Sequence, residues 1–219
     1  QVGSSAASDV YKRQGPDSLE DADSVFVESG AAVTAAQAES VQDLLNYSGG
    51  DIDISDTAAA LISAGDHVLN VNGVDVVTVN DGATTAQQGA MLAGFTADVE
   101  FDVADDVGAL KSVMGTNDPA SYLTEANSIT VDNAVTGSNV NASDGGILAG
   151  FTADVEFNVE DTANLVAAEV SASGYGSGSL DEANDLVVSG GDVDTVSAAA
   201  IQQISEYNET GSGYEITDN

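Results

Sequence analysis

The sequence repeats itself, and that constrains the fold more than anything else in it. Gly94-Phe-Thr-Ala-Asp-Val-Glu-Phe-Asp-Val103 returns as Gly150-Phe-Thr-Ala-Asp-Val-Glu-Phe-Asn-Val159, 56 residues later. Shorter echoes extend the pattern. Ser18-Leu-Glu-Asp-Ala-Asp-Ser-Val25 matches Ser179-Leu-Asp-Glu-Ala-Asn-Asp-Leu186, and Leu123-Thr-Glu-Ala-Asn-Ser-Ile129 is a third copy. Asp56-Thr-Ala-Ala-Ala-Leu61 resembles Asp161-Thr-Ala-Asn-Leu165, and Tyr214-Glu-Ile-Thr-Asp-Asn219 resembles the start of Asp51-Ile-Asp-Ile-Ser-Asp-Thr57. A chain built this way is an array of similar units, each needing its neighbours to bury a core.

Two strand types recur within each large repeat. The first begins at Val25, Val77, Ile129 and Leu186, the second at Ile52, Val99, Val155 and Tyr214, with a mean step of about 27 residues. The second type alternates cleanly: Val99, Phe101 and Val103 face one way, Asp98, Glu100 and Asp102 the other, as in a half-buried strand. Between strands the spacing turns helical. Val196, Ala200, Ile201, Ile204 and Tyr207 share one face, and Val33, Val41, Leu44 and Leu45 play the same part in the first repeat. The Asp-Thr-Ala-Ala signature places Asp56, Asp105 and Asp161 as N-caps before strong helix formers. Residues 135–146, rich in Gly, Ser and Asn, are expected to form only a loop, and residues 115–120 and 171–179 surface insertions.

A strand, a turn, a short helix and a return in about 27 residues suit one coil of an α/β solenoid with a parallel sheet. Eight such strands would stack to about 38 Å. The competing architecture is an array of all-β sandwich modules. Its difficulty lies in stretches such as Thr34-Ala-Ala-Gln-Ala38 and Ala198-Ala-Ala-Ile-Gln-Gln203, whose β propensity is poor.

Residues 4–14, Ser-Ser-Ala-Ala-Ser-Asp-Val-Tyr-Lys-Arg-Gln, resemble the in-frame translation of a transposase-type sequencing adapter. Residues 1–14 are therefore set apart from fold reasoning as an unstructured artefact. Residues 15–219 are read as a single array of about four large repeats, two coils each, stopping partway through a unit. The adapter resemblance implies a fragment assembled from environmental sequence.

Charge narrows the function. The chain has 37 acids, three Lys or Arg and a formal net charge of −34. Lys12 and Arg13 lie in the adapter-like segment, which leaves Lys111 as the one base of the remainder. Such a chain repels nucleic acid and anionic membranes, and it repels itself unless salt or bound cations intervene. Hydrophobic content of 42% is enough for a core, and the absence of Cys excludes disulfides and thiolate metal sites. No run approaches the length of a membrane span.

Val-rich strands alternating with Ala-Thr-Ala-Gln and Asp-Thr-Ala-Ala-Leu segments resemble the tandem repeats of very large bacterial exoproteins, the adhesin-like and hemolysin-type (RTX-associated) surface proteins. The resemblance spans residues 18–219 through degenerate motifs. It implies an extracellular or cell-surface location, type I secretion and an extended architectural role, and it supplies no catalytic residues. The partners expected are neighbouring repeats of the parent protein and, for an adhesive segment, cell-surface glycans or other surface proteins.

Candidate chemistry is confined to the acids. Asp51, Asp53, Asp56, Asp105 and Asp161 are the calcium candidates, where carboxylates of stacked coils would converge; no cofactor is required. Asp51-Ile-Asp-Ile-Ser-Asp56 begins like a calcium loop but lacks the Gly and Glu of an EF-hand, and Gly49-Gly-Asp51 lacks the third glycine of the RTX nonapeptide. The competing reading is a solvated acidic face. His67, the single histidine, reads as a surface or turn residue. Two function classes remain: a non-enzymatic structural or adhesive segment, and a carbohydrate-active parallel β-solenoid. A catalytic site would be one unique acid cluster in a cleft, whereas a structural role repeats the same acids from coil to coil.

Overall fold

Every ladder between the described strands runs parallel, as expected when a helix lies between the two strands of each pair and carries the chain back. The computed structural model describes residues 32–43, 52–70, 73–114, 123, 125–133, 137–151, 153–174 and 179–217. Residues 1–14 and Asp51 lie outside them. The chain divides into two compact units, Gln1–Asp81 with Phe95–Glu100, and Gly82–Gly94 with Phe101–Asn219.

The first unit holds β1 (Ala32–Val33), α1 (Ala35–Gln42), β2 (Ile52–Asp56), α2 (Ala58–Ala64), α3 (Asp66–Leu69), β3 (Val74–Val79) and β4 (Val99–Glu100). Its four strands pair in chain order, β1-β2-β3-β4. Val33 lies opposite Ile54, Ile54 opposite Val77, and Val77 opposite Val99, so a row of aliphatic side chains crosses the sheet on its buried face. Asp53, between Ile52 and Ile54, is half-buried on the other face.

The second unit begins with α4 (Ala86–Leu92) and continues with β5 (Asp102–Asp105), α5 (Val107–Met114), β6 (Ser128–Val131), β7 (Asn139–Val140), α6 (Ala142–Ala149), β8 (Val155–Glu156), β9 (Asn158–Asp161), α7 (Ala163–Ser173), β10 (Asp185–Val188), β11 (Asp192–Val193), α8 (Thr195–Ile201) and β12 (Glu215–Ile216). A 3-10 turn, Leu180–Glu182, precedes β10. The strands form small sheets ordered β5-β6-β8, β10-β9-β7 and β11-β12. Thr84 adds a single parallel bridge to Val103. The chain is thus of the α/β class, and the all-β alternative does not describe it.

The expected strand register holds. Val99, Phe101, Val103, Val155, Phe157 and Val159 are all buried, while Glu100, Asp102 and Glu156 are exposed. Of the expected starts of the first strand type, Val77, Ile129 and Leu186 lie within β3, β6 and β10, and Val25 lies outside the described residues.

Other expectations fail for identifiable reasons. Residues 135–146 do not form only a loop: they contain β7 and the start of α6. Asn141 caps that helix by accepting from the Asp144 amide at 2.8 Å. Its interior glycine, Gly145, is required by packing: a Cβ there would stand 2.8 Å from Val159 Cγ2 and 3.3 Å from Phe157 Cε2. Intrinsic propensity disfavours Gly, but the close approach of helix to sheet admits nothing larger. The helical face read across residues 194–207 also changes. Helix α8 ends at Ile201, Val196 is 77% exposed, and Ala198, Ile201 and Ile204 make the core. Tyr207 instead bridges Leu186 as a strand residue. Val33 is a strand residue of β1, and Leu44 and Leu45 lie outside the described residues. Residues 171–173 form the last turn of α7; residues 115–120 lie outside the described set.

Candidate functional site

The calcium candidates on Asp-Thr and Asp-Asp steps share one environment. Each is the last residue of its strand, followed by the residue that opens the next helix. Asp56 ends β2, Asp105 ends β5 and Asp161 ends β9. None caps its own helix. Thr57 accepts from the Ala60 amide at the start of α2, and Asp106 Oδ1 accepts from Ala109 N in α5; Thr162 is the N-cap position of α7. The expected caps are displaced by one residue, because the aspartates belong to the strands.

Their carboxylates reach backward in the chain instead. Asp56 Oδ2 accepts from the Ala35 amide at 3.1 Å, Asp105 Oδ2 from Ala86 at 2.9 Å, and Asp161 Oδ2 from Ala142 at 3.0 Å. Those three alanines are the first residues of α1, α4 and α6. The other oxygen, Oδ1, takes the following amide: Thr57 at 2.8 Å, Asp106 at 2.8 Å and Thr162 at 2.7 Å. One carboxylate therefore serves two helix starts. First-turn amides have no partner within the helix and carry its positive dipole end, so an anion placed there is doubly favoured.

The rest of each first turn is satisfied locally. Thr34 and Thr85 form reciprocal capping boxes with Gln37 and Gln88, and Asn141 takes the Asp144 amide. A companion series serves the intervening helices. Asp81 Oδ1 accepts from Ala58 N at 3.0 Å and Asn133 Oδ1 from Val107 N at 3.1 Å; at the third place the Gly190 carbonyl accepts from Ala163 N at 2.8 Å. A further series ties loops to neighbouring turns. Asp66 Oδ1 accepts from Thr96 N at 2.8 Å and Ala97 N at 3.1 Å, and Asp181 Oδ1 accepts from Ser205 N at 2.9 Å.

Titration follows these contacts. Hydrogen bonding to Thr96 first, and then to the Ala97 and Thr96 amides, holds the Asp66 carboxyl below the usual carboxylate range. The Ser197 amide does the same for Asp194, the N-cap of α8. Burial raises the Tyr207 phenol above its ordinary value.

A groove of 770 Å³ lies in the second unit, and its polar lining includes Asp106, Asn133, Asn139, Asn141, Asp144 and Asp161. Its groups engage one another. Asn133 Nδ2 donates to the Asn139 carbonyl, Asn139 Nδ2 to Glu160 Oε2, and Asn141 Nδ2 to Asp144 Oδ2. Lys111 forms an ion pair with Asp144 at the same place. Chemically the lining is rich in hydrogen-bond acceptors and already knitted together.

The described calcium candidates form no metal site. Asp51 lies outside the described residues, Asp53 is on the outer face of β2, and Asp56, Asp105 and Asp161 sit in different repeats with both oxygens engaged by amides. Among the described residues no three His, Cys, Asp or Glu side chains come together to hold a metal ion. His67 is exposed on α3, as its sequence context suggested. Sequence reasoning missed the backward reach of the aspartates; its only signal was the regular distance of 19 to 21 residues back to an alanine that follows Thr or Asn.

Among the described residues no helix is long and apolar enough to cross a membrane. Compared with protein-family models, with curated proteins and with solved structures, the chain matches none.

Proposed function

We propose that this chain is a non-enzymatic structural repeat segment, a solenoid of stacked strand–helix coils belonging to a large extracellular bacterial protein with an architectural or adhesive role. The observation that carries this reading is the repetition of one acid in one role. Asp56, Asp105 and Asp161 each join the first turn of one helix to the residue opening the next. A catalytic carboxylate pair would be unique to one cleft, and its environment would differ from that of its sequence relatives. Here the same bonds recur, which is the signature of a scaffold.

Parallel ladders, a helix between the two strands of each pair and short-range pairing support the solenoid. The acidic surface suits solubility and an extended array outside the cell, where cations are abundant. Neighbouring repeats are the primary partners; surface glycans or proteins are those of the adhesive role.

Amide hydrogen exchange on Asp105→Ala tests the reading. In a stacked array each coil contacts only its neighbours, so protection falls in α4 and α5 and the flanking strands, while β10 to β12 keep theirs. Loss of protection spread evenly over the chain would contradict a solenoid.

A further inference from the structure

Two Asp-Gly steps occur in the sequence, Asp81-Gly82 and Asp144-Gly145, and the structure treats them in opposite ways. Glycine has no Cβ, so its nitrogen meets little steric resistance in reaching the carboxyl of the residue before it. That attack closes a succinimide ring. It needs a nitrogen free of hydrogen bonding, a carboxyl able to turn, and a backbone free to rotate about the aspartate Cα–C bond.

Asp144-Gly145 has none of these. Both residues lie within α6, whose dihedrals hold the nitrogen away from the preceding side chain. Gly145 is buried, and its amide donates to the Asn141 carbonyl at 2.9 Å. The Asp144 carboxylate is held on both oxygens, Oδ1 by Lys111 and Oδ2 by Asn141 Nδ2.

Asp81-Gly82 meets all three conditions. It follows the end of β3 in a bend outside any helix or strand, and Asp81, Gly82 and Ala83 are all exposed. Gly82 has φ +99°, and a Cβ built on it would meet nothing within 4 Å, so the space around it is open. Among the described residues no acceptor takes the Gly82 amide. Asp81 is anchored through Oδ1 alone, by the Ala58 amide at 3.0 Å. That donation also draws electron density from the carboxyl carbon, which favours attack on it.

We propose that Asp81-Gly82 is a self-modification site at which aspartate converts to isoaspartate. The Gly82 nitrogen bonds to Asp81 Cγ, and a carboxyl oxygen leaves as water with the amide proton and the proton of the acid form. Water then adds to the ring. Breaking the new bond at Cγ returns aspartate. Breaking the bond from the Gly82 nitrogen to the Asp81 main-chain carbonyl carbon leaves isoaspartate, with the chain running through Cγ. The water lost is regained, so the mass is unchanged and neither oxidant nor enzyme takes part. The product lengthens the main chain by a methylene and moves the free carboxylate. Ala58, the first residue of α2, thereby loses the acceptor of its amide.

The full chain, incubated for weeks at body temperature, tests this. Digestion uses a protease that cuts before aspartate but not before isoaspartate. Fresh protein should release residues 75–80 and 81–97 as separate fragments, and aged protein should accumulate an uncut fragment 75–97 of the mass its sequence requires. That fragment should accept methyl groups from S-adenosylmethionine in the presence of an isoaspartyl methyltransferase. Residues 132–143 and 144–153 should stay separate throughout. The same incubation in urea should make the two steps react at similar rates, because folding is what distinguishes them. Asp81→Glu, whose longer side chain would have to close a larger ring, should leave residues 75–97 unmethylated. Full release of residues 81–97 after ageing, methylation that survives Asp81→Glu, equal reaction of the two steps in the folded chain, or an inert Asp144-Gly145 in urea would each overturn the proposal. The structural-repeat reading would stand in every case, since this chemistry belongs to a single peptide link.

Discussion

Asp105 and Ala86 lie 19 residues apart, and the Asp105 Oδ2 accepts the Ala86 amide at 2.9 Å. That bond joins the end of β5 to the start of α4, while Oδ1 holds the Asp106 amide. Removing the carboxylate strips two amides at once. Asp105→Ala is expected to cost about 2–3 kcal/mol, the range for a charge-assisted bond whose loss leaves part-buried donors unpaired. Asp105→Asn, with one acceptor oxygen in place of two, should fall between the parent and the alanine variant. Asp98→Ala, at an exposed acid, should stay within about 0.5 kcal/mol. Urea unfolding measures all three; equal costs at Asp98 and Asp105 would refute the bridging role.

The glycines inside α4 and α6 pose a sharper question of packing. A Cβ on Gly89 would stand 2.8 Å from Val103 Cγ2 and 3.1 Å from Phe101 Cε2, and Gly145 meets Val159 and Phe157 in the same way. The first repeat solves the same problem differently, with Ala38 in the helix and Ile52 in place of the phenylalanine, both fully buried. Helix propensity favours alanine by about 1 kcal/mol. Overpacking against a stiff β-branched neighbour opposes it by about 1–3 kcal/mol. Gly89→Ala is expected to destabilise on balance, and the double variant Gly89→Ala with Phe101→Ile should recover part of the loss. A thermodynamic cycle measures the coupling; strict additivity would show that the two positions do not share their space.

Phe157 is buried, while its neighbour Glu156 points to solvent. Phe157→Ala is expected to cost about 3–5 kcal/mol by cavity formation. Glu156→Ala should be neutral or slightly stabilising, since it relieves repulsion in a chain of net charge −34. Thermal melts compare them, and a reversed order would be incompatible with the register.

These contrasts show how far the sequence could be read. Alternation across residues 98–103 and 154–159 has enough length to declare its buried face, so the strands were legible. Asn139–Val140 and Asp192–Val193 are too short to show a period, and they pair only because the following strands are already in place. Helix α6 was hidden because Gly145 lowers local propensity for the sake of a contact with Phe157, a residue twelve positions away. The aspartates were legible as helix-start residues to within one position. Which helix each serves was not, because the partner amide is 19 to 21 residues back and only the returning strand brings it near.

Acid should loosen the Asp66 contact selectively. Its folded carboxyl titrates below the ordinary value of 3.8, chiefly through Thr96. A depressed folded value means that the contribution is fully present above the unfolded value and is lost as the pH falls through the folded one. The stability advantage of the parent over Asp66→Asn is therefore expected to be constant at neutral pH and to shrink as the pH drops below about 4. Exchange protection of the Thr96 amide should decline over the same interval. An advantage that grows on acidification would contradict the assignment.

Salt and calcium separate two roles for the acids. A net charge of −34 on 219 residues crowds like charges on the surface, and Asp192 lies directly opposite Glu215 on the adjacent strand, about 5 Å away. Sodium chloride near 1 M shortens the screening length from about 10 Å to about 3 Å and should raise the melting temperature without any specific site. Calcium acts beyond screening only where several carboxylate oxygens converge on one ion, and its effect then saturates by mass action. Asp56, Asp105 and Asp161 have both oxygens committed to backbone amides, and binding calcium would mean surrendering those bonds. Melting series in calcium chloride and sodium chloride at matched ionic strength are therefore expected to coincide for these sites. A saturating excess stabilisation by calcium at millimolar levels, abolished by Asp105→Asn, would show instead that the carboxylate leaves its amides for the ion. The same excess retained in Asp105→Asn, Asp56→Asn and Asp161→Asn together would place the calcium on other acids and leave the helix-bridging role of these three intact.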